Sequence, residues 1–280
     1  MIAIVTDSSA CLYRSEARRL GVTVVPMSYS LPGQPSFNES YIDSSGEFEQ
    51  LVSQNIDRLR TSQASFAAFM SAFNDLLESG AQVLCLTMSS RLSGTYGNAR
   101  MSARETDPDN IAVVDSRTVT FALGLLVEEA CALRDQGLSL DELRQRVEAL
   151  AGRVRLLAVV DTLKYLKMGG RISGASAVLG GMLGITPILK VQHGVVEAAA
   201  KVRGRKAAFQ WMDRRMEQER PDLTLPVAFG HSDAPAVLAE CRAHFVEKLG
   251  LTSWRESDIG SVVGTHAGPG AAGIAYFVKE

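Results

Sequence analysis

The sequence predicts an α/β protein of two domains. Residues 1–152 form a Rossmann-like domain on a parallel sheet, and residues 153–280 form an α+β domain with a mixed or antiparallel sheet. Three observations carry this reading. The chain has 280 residues, more than one typical domain needs. Its first half alternates short, wholly apolar runs with helical patterns, as a parallel sheet covered on both faces requires. Its second half mixes hairpin signals with helices.

In chain order, residues 2–5 and 22–25 read as strands, and 66–77 as a helix with apolar residues at i, i+3, i+4 and i+7. Residues 83–88 are a strand leading to a helix that begins near Ser93. Residues 111–114 are a strand, and 119–134 and 141–150 are helices. In the second half 156–160 is a strand, followed by a glycine-rich segment from 169 to 184. Residues 186–191 and 195–200 flank Gln192-His193-Gly194, a hairpin signal with glycine in the turn. Residues 205–219 and 235–249 read as helices, and 225–229, 261–263 and 274–278 as strands.

Three of the N-terminal strands run into hydroxyl- and carboxylate-bearing loops: Thr6-Asp7-Ser8-Ser9, Thr87-Met88-Ser89-Ser90 and Asp115-Ser116. In a parallel sheet these ends share one edge, where open α/β sheets take their ligands. Helix capping accounts for each residue singly, though less well for their joint placement.

The bulk composition excludes several functions. A formal charge of −2 gives no basis for nucleic-acid or acidic-membrane binding, and aromatic residues, 6% of the chain, are too sparse for base stacking. Cys11, Cys85, Cys131 and Cys241 are scattered and form no Cys-x-x-Cys pair, so they read as small buried hydrophobes in a reducing compartment. No basic leader or cleavage site opens the sequence, and residues 175–189 fall short of a membrane span, so the expectation is a cytoplasmic protein without stable membrane insertion. Nucleotide-binding glycine loops, a GxSxG elbow and an HExxH helix are all missing, and His193, His231, His244 and His266 lack metal-ligand spacing; no metal or cofactor is expected.

Four constellations remain: Arg60-Thr61-Ser62-Gln63-Ala64-Ser65, Ser89-Ser90-Arg91-Leu92-Ser93-Gly94-Thr95, Lys167-Met168-Gly169-Gly170-Arg171-Ile172-Ser173-Gly174 and Thr265-His266-Ala267-Gly268-Pro269-Gly270. Each has an ordinary explanation as a cap, a turn or a surface pair. Together, with small residues allowing close approach, they favour a ligand with an anionic head. Ile172, Ala175, Leu179 and Leu183 then read as the wall of an apolar tunnel beside Arg171, and helix packing is the alternative.

On these same motifs, with Val114-Asp115-Ser116 and Leu163-Lys164-Tyr165-Leu166 added, the chain resembles the DegV family of bacterial fatty-acid-binding proteins almost from end to end. The resemblance implies a long-chain fatty acid held between the two domains. Thr61 and Ser93 would contact its carboxylate, and Ser62, Arg171 and His266 would form the supporting polar network. It further implies that the protein binds no ATP itself. A separate ATP-dependent fatty acid kinase subunit would receive the carboxylate and form an acyl phosphate for phospholipid synthesis. Two rivals stand beside this carrier: an acyl-transfer or hydrolytic enzyme with Ser93 as nucleophile and His266 as base, and a lipid-responsive regulatory sensor. Cys11 and His231-Ser232-Asp233-Ala234 depart from the family's pattern, away from the expected head-group site.

Overall fold

Hydrophobic strands order the N-terminal half. β1 (Ile2–Asp7), β2 (Val22–Val25), β6 (Gln82–Thr87) and β7 (Ile111–Asp115) form a wholly parallel sheet in the order β2-β1-β6-β7. The computed structural model describes residues 1–40, 48, 51, 56–173 and 184–280. Helices α1 (Arg14–Leu20), α2 (Phe66–Glu78) and α3 (Thr95–Thr106) link the strands, and α5 (Leu140–Arg153) leaves this half. Strand β1 pairs with β2 on one side and β6 on the other, so strand order reverses between β1 and β6. A crevice forms outside the strand ends at such a point.

A three-stranded antiparallel sheet covers that crevice. It contains β3 (Ser28–Ser30), β4 (Phe37–Asn38) and β5 (Arg60–Ser62), ordered β4-β3-β5. Polar sequences hide these short strands from periodicity; their partners, not their own composition, make them strands.

Where α5 ends at Arg153, β8 (Val154–Val159) opens a seven-stranded mixed sheet. Its order is β13-β12-β14-β8-β10-β11-β9, with β9 (Ile172–Ser173), β10 (Ile185–Gln192), β11 (Val195–Arg203), β12 (Ala228–Ser232), β13 (Arg255–Asp258) and β14 (Ala271–Phe277). The predicted hairpin is β10–β11, and His193 and Gly194 both take positive φ in its turn, the geometry that two-residue hairpin loops favour. Side chains alternate along the sheet as strand geometry requires. Leu157, Val159, Ile188 and Ile274 face α7 (Arg205–Gln218) and α8 (Pro235–Leu249) in one core cluster. Leu156, Ala158, Leu189, Val191 and Val196 face the N-terminal half in the other.

Between the two large sheets runs α4 (Phe121–Arg134), buried on nearly every side. An all-round apolar helix has no solvent face to offer, and it contacts both β1 and β14. Two expectations need correction. Residues 261–263 are not a strand: they begin α9 (Ser261–Ala267), and His266 sits in that helix's last turn. The strand expected at 225–229 begins only at Ala228. Helix α1, the short α6 (Lys164–Met168), β9, β13 and the three-stranded sheet had no counterpart in the sequence reading.

Candidate functional site

A cavity of about 390 Å³ occupies the space between the seven-stranded sheet and the ends of the parallel sheet. This falls within the usual size of a small-molecule pocket. Ala158, Leu189, Val191 and Val196 supply its sheet wall, and Met27, Met88 and Phe121 face them from the N-terminal half. Helix α9 closes a further side with Val262, Val263, His266 and Ala267. The apolar wall follows from strand alternation: residues of one parity face the cavity and those of the other face α7 and α8.

Thr61, Ser62, Gln63, Ser93, Arg171 and His266 line the polar part of the cavity. Thr61 Oγ1 lies 2.9 Å from His266 Nε2, a hydrogen bond spanning 205 residues of sequence. Ser93 Oγ is 2.9 Å from Thr95 Oγ1 and accepts from the Thr95 amide at 3.2 Å. The predicted head-group residues thus converge on one cavity, but His266 bonds to Thr61 and Ser93 bonds to Thr95. Ser62 is exposed on β5 opposite Ser28, while the cap of α2 is Ser65, whose Oγ accepts from the Ala68 amide. Arg171 donates from Nη1 to the Gly169 carbonyl and from Nε to the Leu92 carbonyl at 3.4 Å, so its guanidinium is held across the junction.

Burial, and then the Arg171 guanidinium, lower the His266 pKa from 6.5 to about 4. At neutral pH the imidazole is therefore uncharged, acting as a hydrogen-bonding group beside a fixed cation. Glycine at 169 is a packing requirement, since a methyl group there would collide with the imidazole Nδ1. Gly268 has φ +79° and lies against the Tyr165 ring, so it needs both left-handed backbone and the absent side chain. A second, more polar hollow of about 410 Å³ lies outside this point, and it shares Thr61, Arg171 and His266 with the first.

The strand-end motifs act from behind the cavity. Buried Asp7 accepts from the Met88 amide at 2.7 Å and from Ser9, and burial raises its pKa. Ser89 Oγ donates to the Gly194 carbonyl at 2.7 Å, tying the β6 loop to the hairpin turn of the other sheet. Ile172 is half-buried on β9 beside Val196, one strand outside the lining residues. Ala175, Leu179 and Leu183 lie outside the described residues.

Sequence reasoning missed Met27, Met88, Val191, Val196 and Phe121 as lining residues. Alternation within the β10–β11 hairpin is the signal that points to Val191 and Val196. It also missed Thr120, which lines the cavity with φ 62° and ψ −147°. That conformation is rare for a β-branched residue, and no local motif announces it. Among the described residues no group of side chains suits a metal ion, and the four cysteines are buried thiols outside any disulfide. No helix among them is long and apolar enough to cross a membrane.

Fold and site define a two-domain α/β protein that encloses an apolar cavity headed by hydroxyl groups and a neutral imidazole. The chain belongs to the DegV family: the family profile described as "Uncharacterised protein, DegV family" matches residues 1–279. It is 38% identical over 280 residues to a DegV domain-containing protein of Deinococcus radiodurans, covering 98% of this chain and 97% of that one. Among solved structures it resembles a DegV family protein of Thermus thermophilus described for its fatty-acid binding, at 32% identity and TM-score 0.87, with 99% of each chain covered. DegV of Bacillus subtilis, described as a fatty acid binding protein, is 27% identical with TM-score 0.84 and 99% of each chain covered.

Proposed function

We propose that this protein binds a long-chain fatty acid, with the acyl chain in the apolar cavity and the carboxylate at Thr61, Ser93 and His266. The observation that carries this reading is the cavity itself, with apolar walls and a polar part where Thr61 and His266 meet beside Ser93 and Arg171. Each buried methylene contributes ~0.8 kcal/mol, so a long chain offers roughly 10 kcal/mol before the costs of association. The tail supplies affinity and the head group fixes orientation, because a buried carboxylate without partners is costly. The fatty-acid-binding descriptions of the Thermus thermophilus and Bacillus subtilis relatives support the same reading.

The protein acts as a cytoplasmic carrier rather than an enzyme. Its domains divide at residues 152 and 153, in the last turn of α5. The polar hollow outside His266 gives a separate ATP-dependent kinase subunit access to the carboxylate for acyl-phosphate formation. The hydrolase alternative needs His266 as a base toward Ser93, yet its Nε2 engages Thr61 and burial makes it a weak base.

Mass spectrometry of the purified protein under native and denaturing conditions tests the reading. The expected result is a fatty acid released intact on denaturation; a covalent acyl adduct on Ser93 would support the enzyme instead. Replacing both Thr61 and Ser93 by alanine is expected to abolish the preference for a fatty acid over its alcohol. An unchanged preference refutes the head-group assignment.

A further inference from the structure

Glu39 is 4% exposed, an expensive place for a carboxylate unless polar partners compensate. It directly follows β4, and its own amide donates to the Met27 carbonyl at 2.8 Å. Ser8 Oγ donates to Oε2 at 2.6 Å, and the Val262 amide donates to Oε1 at 2.8 Å. Val262 is the second residue of α9, where first-turn amides have no partner within the helix. Gly260 at the N-cap has no side chain to offer, and the carboxylate arrives from 223 residues away instead. A negative group there also complements the helix dipole.

The other end of α9 is held by the same small sheet. His266, four residues beyond Val262 and therefore on the same helix face, bonds to Thr61 of β5. Strand β5 pairs with β3 through Thr61 and Tyr29, and β3 pairs with β4 through Tyr29 and Phe37. One three-stranded sheet thus grips α9 at both ends, with Glu39 at the first turn and Thr61 at the last. The cavity-facing side chains Val262, Val263 and His266 lie between or at these anchors.

We infer that Glu39 is a positioning residue for head-group recognition: by fixing the first turn of α9 it sets His266 against Thr61 at the cavity's polar end. The inference rests on the fatty-acid reading of the cavity for its functional consequence, but the geometry it concerns exists in the empty protein. Ser8 takes part as the third member of the junction, since its Oγ also accepts from the Met27 amide at 3.0 Å.

The test compares wild type with Glu39→Gln, which keeps the shape but loses the charge and one acceptor, and with the more conservative Glu39→Asp. Two readouts are taken. The first is affinity for a long-chain fatty acid and for the alcohol of the same chain length. The second is the NMR pH titration of the His266 ring without ligand. The expected result for Glu39→Gln is a loss of tenfold or more for the acid, less than threefold for the alcohol, and a His266 pKa moved up from about 4. Glu39→Asp is expected to restore part of both. A general weakening of the fold would reduce both affinities together, and that outcome overturns the inference. So does an unchanged acid preference with an unchanged His266 titration. If Glu39→Gln does not fold, Glu39→Asp decides by the same two readouts. Should wild type bind neither ligand, the fatty-acid reading fails, while the His266 titration still decides the role of Glu39.

Discussion

Lowering the pH should destabilise this protein through His266 by a predictable amount. In the folded chain the imidazole titrates at about 4, and in the unfolded chain near 6.5, because burial and the Arg171 guanidinium disfavour imidazolium. Between those values the unfolded state binds a proton that the native state refuses, so stability rises with pH. The contribution is present above 6.5 and is lost as pH falls toward 4. The full shift corresponds to about 3 kcal/mol, and the part lost between pH 7 and pH 4.5 to about 2 kcal/mol. Urea unfolding of wild type and His266→Gln at both pH values isolates this effect, since contributions such as buried Asp7 are common to both. Wild type should lose about 2 kcal/mol more than the variant. Equal losses would refute the view that a buried neutral imidazole heads the cavity. A saturating fatty acid should reduce the difference, because its carboxylate supplies a counter-charge to imidazolium.

Two further outcomes follow from the packing around the site. Gly268→Ala places a side chain in left-handed backbone and against the Tyr165 ring, and should cost about 1–3 kcal/mol in chemical denaturation while reducing affinity for the acid. Ala158→Phe fills the middle of the cavity wall. Calorimetric titration should show long acyl chains losing affinity by tenfold or more, with little change in thermal stability because the added ring occupies existing space.

The runs that became β1, β6 and β7 are apolar on both faces, and only a parallel sheet between helices buries them so. Pro235 at the start of α8 and Gly250 in left-handed conformation at its end fixed that helix's limits in the chain itself. Ser261-Val262-Val263 looked like a strand because two adjacent β-branched residues favour one. Its helix is stabilised instead by a carboxylate from the opposite half of the chain, a contact that local propensity does not register.

By itself the sequence determined the alternation that builds both large sheets, the glycine-bearing turn of the β10–β11 hairpin, and the residue types available for an anionic head group. These depend on neighbours a few positions apart, where spacing and turn chemistry are sufficient. The tertiary structure alone decided that β4-β3-β5 exists as a sheet and that α9 is a helix. It also decided that Thr61 reaches His266 across 205 residues and that burial, with Arg171 close by, keeps that imidazole neutral. Hydrogen bonding and desolvation depend on which groups meet in space, and those meetings form only when the two halves close on the cavity.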